Sequence, residues 1–196
     1  AVPLKGRGIA SDDSSLVIHG VHVQSKPIST STTMSTSTSS ETTETPLVLL
    51  HGYMNAGAYF YRNFGGLARY FRNIYAIDML GWGLSSRPSM DELLMDDHTD
   101  NDTLHKSNKS WYGKNNRKTT TKEERAVDIA EDWFVESLEA WREAHKIDKM
   151  ILAGHSFGGY MSVAYTERYP ERVERLILLS PVGVPDPDTD PAVDER

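Results

Sequence analysis

The segment that most restricts how this 196-residue chain can fold is Gly154-His155-Ser156-Phe157-Gly158. It follows directly on the apolar run Met150-Ile151-Leu152-Ala153 and opens a helical stretch over 157–169, which Pro170 ends. A serine on a sharp strand-to-helix turn projects its hydroxyl away from the sheet. Such a turn brings the residues two before and two after the serine together, where side chains would collide; Gly154 and Gly158 stand there. Gly159 is expected to let the new helix pack closely on neighbouring strands. The helix N-terminus also directs unpaired N–H groups at the same point and favours negative charge developing there. Ser156 is therefore the candidate nucleophile.

The rest of the chain supplies a sheet for this turn. Leu47-Val48-Leu49-Leu50 is a short, wholly apolar run of the kind found in buried parallel strands. Ile74-Tyr75-Ala76-Ile77-Asp78 and Arg175-Leu176-Ile177-Leu178-Leu179-Ser180 predict two further strands, and residues 16–23 a strand or short hairpin. A helix is predicted over about 58–70. Val127, Ala130, Phe134, Leu138 and Trp141 mark one apolar face of a longer one. The alternation of strand and helix implies an α/β class: a mostly parallel sheet with right-handed crossovers and helices on both faces. Parallel sheets of this kind bind ligands at the carboxyl ends of their strands.

Two polar tracts interrupt this order. Residues 28–45 are nearly all Ser and Thr, and such a composition buries too little apolar surface to offset its ordering entropy. Residues 89–124 segregate their charge, acids over 91–102 and bases over 106–118, and read as a mobile surface insertion. These tracts account for the low mean hydropathy of −0.49. The net charge of −7 argues against a nucleic-acid partner, which calls for a basic face. With no cysteine, neither a disulfide framework nor a thiolate metal site is available, which mildly favours a reducing compartment. No metal and no cofactor are expected. No run of 18 apolar residues suggests a membrane span and no charged, apolar leader is visible, although the chain opens at Ala1 rather than Met.

Two other strand ends carry candidates. His51-Gly52-Tyr53-Met54-Asn55 follows the first long strand. An oxyanion there would be held by backbone N–H groups, one from Phe157 after the serine and one from Tyr53, with Gly52 permitting the close approach. His51 reads as a buttress of this loop rather than as a base. After the next strand, Asp78 with the glycines of Gly81-Trp82-Gly83 is expected to shape a tight hydrogen-bonded loop. Trp82, Tyr59, Phe60 and Tyr61 line an apolar pocket or belong to the core; the pattern leaves both readings open.

Taken together, Arg62-Asn63-Phe64, Tyr75-Ala76-Ile77-Asp78, Gly81-Trp82-Gly83, Ser85-Ser86-Arg87-Pro88, Trp133-Phe134 with Glu139 and Trp141-Arg142, Gly154-His155-Ser156-Phe157-Gly158-Gly159 and Tyr169-Pro170-Glu171-Arg172-Val173 resemble one branch of the α/β-hydrolases. That branch contains abhydrolase domain-containing proteins 4 and 5 and their plant relatives, and the resemblance covers about 46–88 and 125–185. It implies a serine hydrolase acting on lipid esters of the lysophospholipid or acylglycerol type, with a lysophosphatidate acyltransferase or a non-catalytic lipase co-activator as alternatives. It also implies peripheral contact with lipid droplets or membranes, while the compartment stays open with a soluble intracellular protein as the expectation.

In this fold the triad runs Ser, Asp/Glu, His. None of His19, His22, His51, His98, His105, His145 or His155 follows Ser156. The catalytic acid and histidine are accordingly not expected within these residues. Residues 1–196 read as the N-terminal part of one domain, whose lid and last strands would come next, so that hydrolysis by this chain alone is not expected. A short, genuinely non-catalytic protein is the competing expectation. Aspartate at the elbow would suit epoxide or haloalkane hydrolysis; Ser156 does not.

Overall fold

The computed structural model describes residues 2–3, 16–25, 42–88 and 122–183. A two-stranded antiparallel ribbon pairs β1 (Val2–Pro3) with β2 (Val17–Ile18). The main sheet has five strands: β3 (Gly20–Gln24), β4 (Leu47–Leu50), β5 (Asn73–Ile77), β6 (Met150–His155) and β7 (Val173–Leu179). Their order is β3-β5-β4-β6-β7, with β3 antiparallel to β5 and every other pair parallel.

Period-two alternation sorts the apolar side chains of the inner strands into two cores. Val48, Leu50, Ile77, Met150 and Leu152 face α2 (Lys122–Ala144) and α3 (Phe157–Arg168), where they meet Trp133, Val135, Leu138, Trp141, Met161 and Tyr165. Leu47, Leu49, Ile74, Ala76, Ile151 and Ala153 face the other way, onto Phe60, Phe64, Leu67 and Phe71. Burial on both faces explains why the central strands read as continuous apolar runs rather than alternating ones.

The structure departs from the sequence expectations in four places. The helix predicted over about 58–70 is a 3-10 turn, Gly57–Phe60, and a single α turn, α1 (Phe64–Leu67). Gly65 and Gly66 sit inside α1, and each glycine costs about 1 kcal/mol in a helix, so the element stays short. Of the strand or short hairpin predicted over 16–23, strand forms and the hairpin does not: β2 pairs with β1, β3 with β5, and a break falls at His19. The apolar face predicted for α2 also shifts, since Val127 is 58% exposed while Trp133, Ala140 and the polar Ser137, Glu139 and Arg142 are buried.

The fourth departure concerns the polar tracts. Residues 42–45 are held: Thr43 bridges to Phe71, donating to Tyr70 O at 2.8 Å and accepting from Arg72 N, and Thr45 donates to Glu174 at 2.7 Å. Composition counts residues in isolation, but here a backbone pairing at Thr43 and a side-chain bond at Thr45 fix the chain. Likewise 122–124 begin α2. The remainder of both predicted tracts, 28–41 and 89–121, lies outside the described residues. Among those described, β7 forms one edge of the sheet, and Ile177, Leu178 and Leu179 are exposed along it.

One buried polar network ties α2, α3 and the approach to β6. Arg142 donates through Nε and Nη2 to both oxygens of Glu139, at 2.8 and 2.6 Å, and through Nη1 to Ile147 O. Tyr165, wholly buried, donates to Glu139 Oε2 at 2.6 Å. Burial alone would raise the Glu139 pKa; the donors Arg142 and Tyr165, with the Arg142 and Arg172 charges, bring it below the ordinary carboxylate value. Burial, then Glu139, push the Tyr165 phenol well up, so it stays a donor.

Removing one member strands the other charge in the core. Glu139→Ala or Arg142→Ala is therefore expected to lower the unfolding free energy by about 3–5 kcal/mol in urea titrations. Because the folded Glu139 pKa is depressed, its contribution is present above the unfolded value and lost as pH falls through the folded one. The acid limb of stability should thus be shallower in Glu139→Gln than in wild type.

Candidate active site

Register assembles the site. Leu50 lies opposite Ile77 on one side and Gly154 on the other, so the residues leaving β4, β5 and β6 emerge side by side. His51, Asp78 and the His155-Ser156 pair share one end of the sheet for that reason.

At Ser156 the chain turns from β6 into α3 with φ 54° and ψ −118°, a left-handed conformation in a residue that carries a Cβ. Surrounding hydrogen bonds hold it there. Ser156 N–H donates to Leu179 O at 3.0 Å, and Ser156 O accepts from Gly159, Tyr160 and Val182 N–H. A Cβ on Gly154 would lie 2.2 Å from Gly158 O, and one on Gly158 would lie 2.4 Å from Leu50 O. A Cβ on Gly159 would meet Pro181, beyond β7, at 2.8 Å. Glycine is required at the first two positions by backbone contact itself. Ser156 Oγ has no hydrogen-bond partner among the described residues.

The loop after β4 closes over this turn. Asn55 N–H donates to Gly52 O at 3.2 Å, and Met54 takes φ 53°. Gly52 abuts the turn closely: its Cβ would sit 3.1 Å from His155 Nδ1 and 3.2 Å from Ser156 Cβ. Among the described residues, neither the Tyr53 nor the Phe157 N–H has an acceptor. Two free donors thus flank the serine, one on the loop and one on the first turn of α3.

His51 is fully buried. Its Nε2 accepts the Met79 N–H at 3.0 Å, so the ring proton sits on Nδ1, which donates to Gly52 O at 2.8 Å. Burial, the largest influence, pushes its pKa below 6.5 against the opposing pulls of the Gly52 carbonyl and Asp78. A neutral imidazole whose two nitrogens are both engaged ties the β4 loop to the β5 loop. Asp78 works alongside it. Oδ1 accepts Gly57 N–H at 2.7 Å, and Oδ2 accepts Leu84 N–H at 2.9 Å and meets His19 Nδ1 at 2.9 Å. Gly83, at φ 56°, lies so close that a Cβ would fall 2.3 Å from Oδ2.

His19 was not singled out in the sequence. It reaches Asp78 only because β3 pairs with β5, a non-local contact with no local signal. Tyr59 stacking on His155 at 5.3 Å is likewise tertiary. No described histidine bonds to Ser156 Oγ. His19 holds Asp78, His22 holds Asn73 and His145 the Trp141 carbonyl, while His155 Nδ1 is buried without a partner. His98 and His105 lie outside the described residues. Among those described, no cluster of three His, Cys, Asp or Glu suits a metal ion, and no helix is long and apolar enough to cross a membrane.

Two outcomes follow. A Cβ at positive φ costs roughly 1–2 kcal/mol, so Ser156→Gly should raise the urea midpoint by the equivalent of about 1 kcal/mol. Ser156→Ala, which keeps its Cβ, should not. For His51, the unfolded chain takes up a proton first as pH drops below 6.5, so stability falls from there toward the folded pKa. The pH dependence of the midpoint below about 6.5 should flatten in His51→Gln; an unchanged slope would show that His51 does not titrate on unfolding.

The chain is similar to much longer proteins. It is 39% identical over 143 residues to the human 1-acylglycerol-3-phosphate O-acyltransferase ABHD5, covering 73% of this chain and 31% of that one. It is 40% identical over 144 residues to a probable 1-acylglycerol-3-phosphate O-acyltransferase of Oryza sativa subsp. japonica, covering 74% and 27%. It thus spans less than a third of the curated relatives it matches. A thermophilic esterase from Thermogutta terrifontis superposes with a TM-score of 0.56 at 16% identity, over 97% of this chain and 48% of that one. At that identity the likeness bears on the fold alone. Residues 45–196 match the family of the alpha/beta hydrolase fold, and with the parallel sheet, its flanking helices and the strand–serine–helix turn in place, the chain belongs to that family.

Proposed function

We propose that the full-length protein is a serine enzyme of lipid esters, with Ser156 as the nucleophile. The observation that carries this reading is the left-handed Ser156 between β6 and α3, with the unpaired N–H groups of Tyr53 and Phe157 beside it. The Ser156 oxygen attacks the ester carbonyl carbon while a base takes the hydroxyl proton. The carbonyl oxygen becomes an oxyanion held by the two N–H groups, a contribution that typically accelerates such steps by about 10²–10³ per donor. The bond to the alcohol then breaks, the alcohol leaves with the proton, and an acyl-enzyme remains. Water releases the fatty acid in a second round of the same steps. A serine without a base is a weak nucleophile, and none of the seven histidines follows Ser156. No base is therefore assigned to Ser156 within residues 1–196.

The names of the relatives favour a second reading, in which the hydroxyl of a 1-acylglycerol 3-phosphate replaces water as the acceptor. Peripheral contact with a lipid droplet or membrane belongs to the same proposal. The exposed Tyr53, Met54, Tyr59, Tyr61 and Leu84 support it.

The full-length protein should react with a fluorophosphonate probe and lose that reaction in Ser156→Ala, while residues 1–196 alone should react about 10²–10⁴-fold more slowly. Absence of labelling in the full-length protein, or labelling that persists in Ser156→Ala, rules out the serine mechanism and leaves a non-catalytic lipid-binding or co-activator role. Phosphatidate formed from an acyl donor and 1-acylglycerol 3-phosphate separates the second reading from hydrolysis.

A further inference from the structure

Phe157 presents two groups at the site. Its N–H is one of the free donors, and its ring joins an aromatic cluster drawn from four segments. The ring meets Trp82 edge-on at 5.3 Å and Phe134 edge-on at 5.6 Å. Trp82 and Phe134 lie parallel, 5° apart in plane and 5.4 Å between centroids. Tyr53 meets Trp82 edge-on at 5.8 Å. The cluster thus joins the loop after β4, the loop after β5, the middle of α2 and the first residue of α3.

Trp82, Phe134 and Phe157 pack against the main core, which leaves each of them only partly covered. On the same helix, Trp133 and Trp141 are 6% and 2% exposed, whereas Phe134, Trp82 and Phe157 are only partly covered. Leu84, two residues after Trp82, is 75% exposed. Among the described residues, the uncovered faces of these rings therefore offer apolar surface beside the first turn of α3. Of the two substituents on a lipid ester carbonyl, the alcohol side carries the polar head group and needs donors or charges. The acyl side is a hydrocarbon and needs only apolar surface, where each buried methylene multiplies affinity about fourfold.

We infer that Trp82, Phe134 and Phe157 form the wall that receives the acyl chain of the substrate. The inference rests on the reading of Ser156 as nucleophile of a lipid ester, because, of the two carbonyl substituents, only the hydrocarbon one suits these rings. Trp82 and Phe134 are then specificity residues: they set how much of the chain is held and do not touch the reacting atoms.

The test is binding of free fatty acids to the full-length protein. Dibromostearate quenches an indole only on contact, and Trp82 is one of four tryptophans, with Trp111, Trp133 and Trp141. Quenching is expected in wild type and in Ser156→Ala, and is expected to be largely lost in Trp82→Phe while binding, followed by competition, persists. Affinity should rise severalfold per methylene from C6 to C12, and that rise should flatten in Phe134→Ala, with Phe134→Leu as the variant used should the alanine protein not fold. Undiminished quenching in Trp82→Phe, or equal affinity from C6 to C12, overturns the inference. Chain-length-dependent quenching in a protein that no fluorophosphonate labels would instead discard the serine mechanism and leave the wall in place.

Discussion

The backbone of Gly158 lies against the carbonyls of Leu50 and His51 so closely that a methyl group would fall 2.4 and 2.5 Å from them. This contact seats the start of α3 directly on the end of β4, and the Gly154–Gly158 approach then closes the turn between. Ser156 is forced into a left-handed conformation as a result, because the chain must reverse from strand to helix within one residue. Strain of that size persists only where neighbours over-determine it. Here the Leu179 carbonyl and three N–H groups hold the Ser156 backbone on all sides.

The apolar sheet and the polar loops above it divide the work. The two cores on either face of β4 and β6 hold the strands in register, and that register delivers His51, Asp78 and Ser156 to one end. His51 and Asp78 then act on backbone rather than on chemistry, accepting or donating to Gly52, Gly57, Met79 and Leu84. Their effect is to fix two loops against the serine turn. The Glu139–Arg142–Tyr165 network does the same for the helices, holding α2 where Phe134 can meet Trp82.

Much of this arrangement was legible in the residues, and the reason is that it is local. The glycine spacing around Ser156, the apolar runs of β4 and β6, and the turn residues after each strand depend on neighbours a few positions away. The long helix carrying Phe134 and Trp141 was visible by its periodicity. What local pattern misjudged were short elements whose fate depends on partners. Gly65 and Gly66 cut the helix predicted near 58–70 to a single turn. Thr43 and Thr45 are ordered by Phe71 and Glu174, although their composition reads as unstructured.

The sequence by itself determined the fold class, the position of the candidate serine and the loops that face it, because steric demands of a strand-to-helix turn can be met by few residue types. The tertiary structure alone decided which polar groups hold those loops. His19 reaches Asp78 across 59 positions of chain, His51 reaches Met79 across 28, and Tyr165 reaches Glu139 across 26. Hydrogen bonds of that span are set by strand pairing and helix docking, which bring distant donors within 3 Å without leaving a trace in the residues between them.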